Sequence, residues 1–366
     1  MLEKNGYEFM HGRRKASPVV GPGEFVFSAA HLDHGHIFGM TRALIEAGGT
    51  LRSVWDPDPK KRADFLKAFP GTAEARCEEE ILADPAVSLV AGAAVTNERC
   101  AFGLRVMNVG KDYFTDKAPM TTLDQVDAAR EAVRRTGRKY MVYYSERLHV
   151  ECAVLAGYLI EDGLIGRVLS VSGFGPHRIG PPSGRPGWFW QREPSGGILC
   201  DIGSHQIEQY LFYTGEEDAR ICAARIANYA HPDAPGFDDF GDCALTGENG
   251  TTNYFRVDWF TPDGLRTWGD GRTLILGTEG YIEMRKFIDV AADRPGGNHL
   301  FLVNGDGEQY IGASGVTGFP FFGDLILDCL DRTERAMTQE HAFKAAELSI
   351  RAQAMAADLT PMEGRR

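Results

Sequence analysis

The chain has 366 residues, 43% of them hydrophobic and 25% charged, the balance of a soluble globular protein with room for two cores. Its formal net charge of −12 repels phosphate backbones, so no nucleic-acid partner is expected. No apolar run reaches transmembrane length, and the seven scattered cysteines form no Cys-x-x-Cys pair, so reduced thiols, a cytoplasmic location and no membrane partner are expected.

Residues 1–23 read as a flexible N-terminal extension. From residue 24 short β-type runs (24–29, 50–55, 87–94, 112–115, 139–144) alternate with helical stretches (36–47, 58–69, 97–109, and from the caps Thr122 and Asp124 to Thr136). That alternation predicts a parallel sheet with right-handed crossovers, a first domain over 24–146. After residue 147 the rhythm changes. One helix (149–161) precedes β-rich runs at 168–175, 220–229, 242–245, 251–260, 272–276 and 280–285, with no helix between most of them. These predict an open antiparallel sheet, closed by helices at 321–333 and 341–357, in a second domain over 147–366. One face of such a sheet needs cover, so a homodimer or homotetramer through it is expected.

The first strand leads into Ala29-Ala30-His31-Leu32-Asp33-His34-Gly35-His36-Ile37-Phe38-Gly39, a degenerate G-x-G-x-x-G in which Ala stands for the first glycine. A strand before it, a helix after it and Asp56 at the end of the next strand predict a dinucleotide loop. Asp56 would take the adenosine ribose hydroxyls and disfavour a 2′-phosphate, which points to NAD; Lys60, Lys61 and Arg62 keep NADP possible. The alternative for Asp56 is an Asp-Pro turn acid. His31, Asp33, His34 and His36 are ligand types, but an anion belongs at that helix N-terminus, so no metal is expected.

Asp116 and Lys117 end a strand of the parallel sheet, where ligand crevices open. A lysine there can donate to a substrate oxygen; an ordinary loop lysine is the alternative. Further on, Gly196-Gly197-Ile198-Leu199-Cys200-Asp201-Ile202-Gly203-Ser204-His205 reads as a helix start, with Asp201 and His205 four apart on one face. A carboxylate beside an imidazole suits proton transfer near neutral pH; a capping Asp and a surface His are the alternative.

These segments together resemble the glucose–fructose oxidoreductase/inositol dehydrogenase/MocA family, from about residue 24 to about 357. The family's Gly-Lys…Glu-Lys-Pro looks like Gly110-Lys111…Asp116-Lys117-Ala118, and its Gly-Gly-x-x-x-Asp-x-Gly-x-His is Gly196 to His205. Its Gly-x-Ile-Gly turn is similar to Gly163-Leu164-Ile165-Gly166, and its small-residue cofactor loop to Ala93-Ala94-Val95-Thr96. Asp116 departs from Glu, Ala118 from Pro (shifted to Pro119), and the glycine loop is longer and rich in histidine.

The resemblance implies an α/β plus α+β architecture: an N-terminal Rossmann fold, then an α/β domain on an open, mainly antiparallel sheet. It implies hydride transfer between NAD(P) and a sugar or polyol hydroxyl carbon. Ala30, His34, Gly35, His36, Ile37, Asp56, Ala94, Val95, Thr96, Asp116 and Lys117 would then bind the cofactor. Lys117 would touch the reacting hydroxyl and the nicotinamide ribose, His205 would accept the hydroxyl proton, and Asp201 would hold substrate or orient His205. Tyr144, Glu146, Arg147, His177, Arg178, Trp188 and Trp268 are the expected contacts to a small carbohydrate or polyol. Core or interface packing is the alternative for the aromatics, and a buried ion pair for Arg147. Two rival functions share the fold: NAD-dependent redox-neutral glycoside cleavage and a non-enzymatic NAD-sensing regulator.

Overall fold

A computed structural model describes residues 1–181 and 184–361, and the chain divides into two compact units. One comprises residues 16–143 and 319–346, the other residues 1–15, 144–318 and those from 347.

The first unit is built on six parallel strands in the spatial order Ala73–Glu74, Thr50–Trp55, Val26–Ala30, Leu89–Gly92, Asp112–Asp116, Tyr140–Tyr143. The order reverses between Val26–Ala30 and Leu89–Gly92, the position where open α/β sheets bind ligands. Leu89–Gly92 is small and wholly buried; a Cβ on Gly92 would come within 3.1 Å of the Ala30 carbonyl and 3.0 Å of the Phe102 ring. Helix boundaries follow local chemistry. Asp58 caps Pro59–Ala68, Thr122 and Gln125 form a capping box on Leu123–Thr136, and Gly137 ends that helix at φ 63°. The helix Pro320–Asp331 also belongs to this unit, not to a second domain running from 147 to the end. Phe321 and Phe322 pack on Phe114, and Arg332 donates to both Asp112 oxygens at 2.7 and 2.6 Å. The aromatic face that anchors them lies on the strand Asp112–Asp116, distant in sequence.

The second unit carries a ten-stranded sheet. Residues 2–5 are not an extension: Leu2–Asn5 pairs parallel with Gly307–Gly312, and His11 and Arg13 bond Asp162. Backbone pairing and an ion pair hold a segment whose composition reads as a tail. Most neighbouring strands are antiparallel, but Val168–Pro176 and Thr252–Asp258 run parallel. Helices between residues 192 and 214 return the chain before it re-enters the sheet, so a parallel neighbour becomes accessible. The hairpin His299–Asn304/Gly307–Gly312 is absent from the sequence reading; its strands are short and mixed in polarity. On one face Val171, Phe255, Ile275 and Ile282 are buried, and the helix Gly203–Thr214 packs there. The other face exposes Tyr254, Leu274, Leu276 and Tyr281. No helix among the described residues is long and apolar enough to cross a membrane.

Candidate active site

In the parallel-sheet unit the strand Val26–Ala30 hands over to His31, whose backbone is left-handed at φ 57°. The His31 carbonyl accepts from Ala93 N–H at 2.9 Å, and His34 N–H donates to the Ala93 carbonyl at 3.0 Å. The histidine loop and the Ala93–Thr96 segment are thus zipped together across the switch point. Gly35 is the N-cap of the helix His36–Glu46, with Ile37 buried in its first turn. A Cβ on Gly35 would meet nothing within 4 Å. An open glycine at a helix N-terminus, where amides point outward and the dipole favours anions, fits a pyrophosphate.

Asp56 departs from the expected role. It is fully buried, and its oxygens accept Leu32 N–H at 2.6 Å and Asp58 N–H at 2.8 Å, so it braces the loop and the turn. The partly exposed groups there are Asp33 and Lys61, paired at 2.6 Å, with Lys61 Nζ 3.9 Å from Asp56. Lys60 and Arg62 pair with Asp64 and Glu74.

Asp116, fully buried at its strand end, gathers the loop. It lies 2.8 Å from Nδ1 of His34 and of His36, accepts Lys117 N–H at 2.8 Å, and has Arg99 Nη2 at 3.4 Å. Burial pushes its carboxyl up, but His36, His34 and Arg99 outweigh that and hold it well below 3.8. Burial and the neighbouring His36 push His34 down to about 4, against the pull of Asp116. Donor atoms of His34, His36 and Asp116 lie within 4.8 Å of one another, as metal ligands can. Both imidazole Nδ1 atoms, however, face the Asp116 oxygens, and the Arg99 guanidinium already borders the carboxylate. The donor set suits a hydrogen-bonded His–Asp–His group better than a cation.

Lys117 is 4% exposed, and its peptide to Ala118 is cis. Arg99, absent from the sequence reading, holds this segment: it donates to the carbonyls of Ala94 (2.8 Å), Lys117 and Ala118 (2.9 Å). An arginine opening a helix directly after the small-residue loop was the available signal.

In the ten-strand unit Asp201 and His205 do not share one regular helix. Ile198–Asp201 ends at Ile202, and Gly203–Thr214 begins a new helix. His205 N–H closes a tight turn on the Ile202 carbonyl at 3.2 Å, because Gly203 fits against the Phe255 ring, 3.1 Å from where its Cβ would stand. His205 is 2% exposed, with the Tyr144 ring edge-on at 6.3 Å; Asp201 is half-buried. Arg185, also absent from the sequence reading, stacks over Phe189 and Trp259 at 4.6 and 4.9 Å. Burial lowers its pKa and the Asp201 charge opposes that.

The expected substrate contacts divide. Glu146 lies deep beside Lys286 and Gln206. Tyr144 is fully buried, and burial holds its hydroxyl well above the usual range. Arg147 is spent on a buried ion pair with Glu208 and stacks over Phe212 at 3.7 Å. Arg178 donates to the carbonyls of Pro262 (2.9 Å) and Leu265 (2.5 Å), bracketing a loop instead of facing a ligand. His177 packs on Trp268 at 4.5 Å, and Trp268 is 43% exposed; Trp188 sits in the turn Gly187–Trp190.

A six-stranded parallel sheet of order 3-2-1-4-5-6 with a glycine-led helix at its switch point defines the dinucleotide-binding fold. The sequence model of the GFO/IDH/MocA C-terminal domain matches residues 155–283. A crystal structure from Erwinia carotovora atroseptica SCRI1043, provisionally described as an oxidoreductase, is 49% identical, with TM-score 0.88, over 92% of this chain and 100% of that one. D-xylose dehydrogenase of Paenarthrobacter nicotinovorans is 26% identical over 131 residues, 35% of this chain and 34% of that one. scyllo-Inositol 2-dehydrogenase (NAD(+)) of Bacillus subtilis strain 168 is 27% identical over 209 residues, 56% of each chain. The chain belongs to the Gfo/Idh/MocA family of oxidoreductases.

Proposed function

We propose that this protein is an NAD-dependent dehydrogenase that oxidises a hydroxyl-bearing carbon of a small carbohydrate or polyol, or reduces the matching ketone. The observation that carries this is the buried Lys117 at a strand end beside a switch point whose glycine-led helix N-terminus is open. The relatives named for xylose and inositol supply the substrate class. A bound nicotinamide would supply the hydride acceptor or donor. Ala30, Gly35, His36, Ile37 and the Ala94–Thr96 segment would hold the dinucleotide, with His34 and Asp116 shaping the loop beneath it. Asp33 beside Lys61, with Asp56 behind them, outnumbers the lysine in charge and favours NAD over NADP. Lys117 would offset negative charge on the reacting oxygen, His205 would take its proton, and Asp201 would orient His205 or hold the substrate. Glu146, His177, Trp188 and Trp268 are the substrate-side groups in this reading. Its seven cysteines, all free, accord with a cytoplasmic location.

The test is a screen of monosaccharides and polyols with NAD and NADP separately, followed by reduced-cofactor absorbance. Net NADH formation is expected, with NAD preferred. His205→Ala and Lys117→Ala should each lower kcat/KM by roughly 10²-fold or more, and His205→Ala should keep NADH affinity. Full turnover in either variant, or a cofactor recycled without net reduction, overturns the assignment.

We further propose that a second copy of the chain covers the face bearing Tyr254, Leu274, Leu276 and Tyr281, as a homodimer or within a homotetramer. Leu274→Glu/Leu276→Glu should lower the mass measured by light scattering to that of a smaller species; an unchanged mass counts against it.

A further inference from the structure

Around His205 lies a charged and amide cluster to which the proposed reaction assigns no proton-handling role. Lys286 is 1% exposed and Glu146 is 3% exposed. Lys286 Nζ donates to Glu146 Oε2 at 3.0 Å and to Gln209 Oε1 at 2.6 Å; Gln206 Nε2 donates to the same Glu146 oxygen at 2.9 Å. Gln206 and Gln209 stand on the helix of His205, and Gln209 Nε2 donates to the His205 carbonyl at 2.8 Å. The pair is thus tied to the His205 turn at two points. The sheet makes room for the cluster: a Cβ on Gly173 would fall 2.1 Å from Gln206 Oε1, and one on Gly175 3.0 Å from its Nε2.

The two donors to Glu146, Lys286 Nζ and Gln206 Nε2, reach the same oxygen. The other, Oε1, is buried and has no hydrogen-bond partner among the described residues. An ion pair buried this deeply is costly, and apolar residues of similar size would hold the fold as well. Lys286 and Gln206 answer the carboxylate through Oε2 and leave Oε1 unspent. Its field falls on two imidazoles. Burial pushes the Glu146 carboxyl up, but Lys286, His205 and His177 together outweigh that and hold it at about 2. The attraction is mutual, so Glu146 favours the protonated form of His205.

We propose that Glu146 is the positioning carboxylate of His205, stabilising the imidazolium formed when His205 takes the substrate proton, and that Lys286 moderates this effect. The proposal rests on His205 being the base. No atoms are exchanged: the proton moves from substrate hydroxyl to His205, and Glu146 stays ionised throughout. The other charged and titratable groups near His205 are Glu208, Asp201, His177 and Tyr144. Glu208, on the same helix, is paired with Arg147 from the preceding segment, and the Asp201 charge also acts on Arg185. His177, at the end of Val168–Pro176, bonds the Gly175 carbonyl through Nδ1 at 3.1 Å. Tyr144, from the segment of Glu146, is held neutral by burial.

The test is the NMR titration of His205 in the full chain, its ring signal assigned by loss in His205→Gln. In Glu146→Gln the midpoint should fall by roughly one unit, and in Lys286→Met it should rise by a similar amount. The double variant should return it to near the wild-type midpoint, which also guards against loss of folding in either single variant. A merely structural pair would not move the midpoint in opposite directions. Midpoints that stay put, or move the same way in both variants, overturn the proposal even if His205→Ala is inactive. Opposite shifts alongside a fully active His205→Ala uphold the coupling and overturn the base assignment.

Discussion

Nδ1 of His36 lies 2.8 Å from Oδ1 of Asp116, joining the first turn of a helix to a strand end 80 residues further along the chain. Asp116 is held ionised and can only accept, so the proton sits on Nδ1 of His36. The bond fixes the tautomer of a residue that opens the proposed dinucleotide helix, and it anchors the residue before Lys117.

Burial of His34 beside His36, only partly offset by that carboxylate, makes stability depend on pH. Unfolded, His34 titrates near 6.5; folded, it is pushed down to about 4. Between those values the unfolded chain takes up a proton that the native one refuses, so stability falls as pH drops through that window. Asp116 titrates below it. Urea midpoints should decline from pH ~7 to ~4.5, with a loss on the order of 2 kcal/mol attributable to His34. The decline should be shallower in His34→Asn; an equal slope in the variant refutes the assignment.

Gly35 separates binding from folding. Its backbone is right-handed helical at φ −62°, and a Cβ there meets nothing in the protein. Gly35→Val should leave Tm within about 2 °C of wild type while weakening NADH binding by roughly tenfold or more, because only the ligand needs that space. Fluorescence titration with NADH measures the affinity; unchanged affinity removes the helix N-terminus from the proposed cofactor site.

Arg99 holds the Lys117 segment from within. Its replacement by Met leaves three carbonyls and the Asp116 carboxylate without their guanidinium. A loss of about 3 kcal/mol is expected, seen as a drop in Tm of roughly 10 °C. Arg99→Lys should recover little, since one ammonium cannot serve carbonyls spread over two segments. Near wild-type stability in Arg99→Lys would show that charge alone suffices.

The alternation of strand and helix from Val26 to Tyr143 was readable because each element carries its own signal: Thr122 and Gln125 cap one helix, Gly137 stops it, and Leu89–Gly92 is small and apolar. The Asp116–Lys117 and Asp201…His205 segments were readable as candidates for the same reason. What misled was local resemblance without partners. Leu2–Asn5 looks like a tail until Gly307–Gly312 offers it a hydrogen-bond edge. Asp56 looks like a ribose ligand until the Leu32 and Asp58 amides take its oxygens. Arg178 looks like a substrate contact until the loop at 262–265 supplies carbonyls for it.

Local sequence therefore determined the two-part architecture, the family and the candidates for reactive side chains, since helix caps, strand patterns and short motifs act over a few residues. Tertiary structure alone decided which of those side chains is spent on the fold and which is left to act. Only long-range packing brings Arg99 to the Lys117 carbonyl, and only the ten-stranded sheet brings Lys286 to Glu146, 140 residues away. A charge buried in low dielectric is governed by whichever partner the fold delivers, and no spacing along the chain encodes that partner.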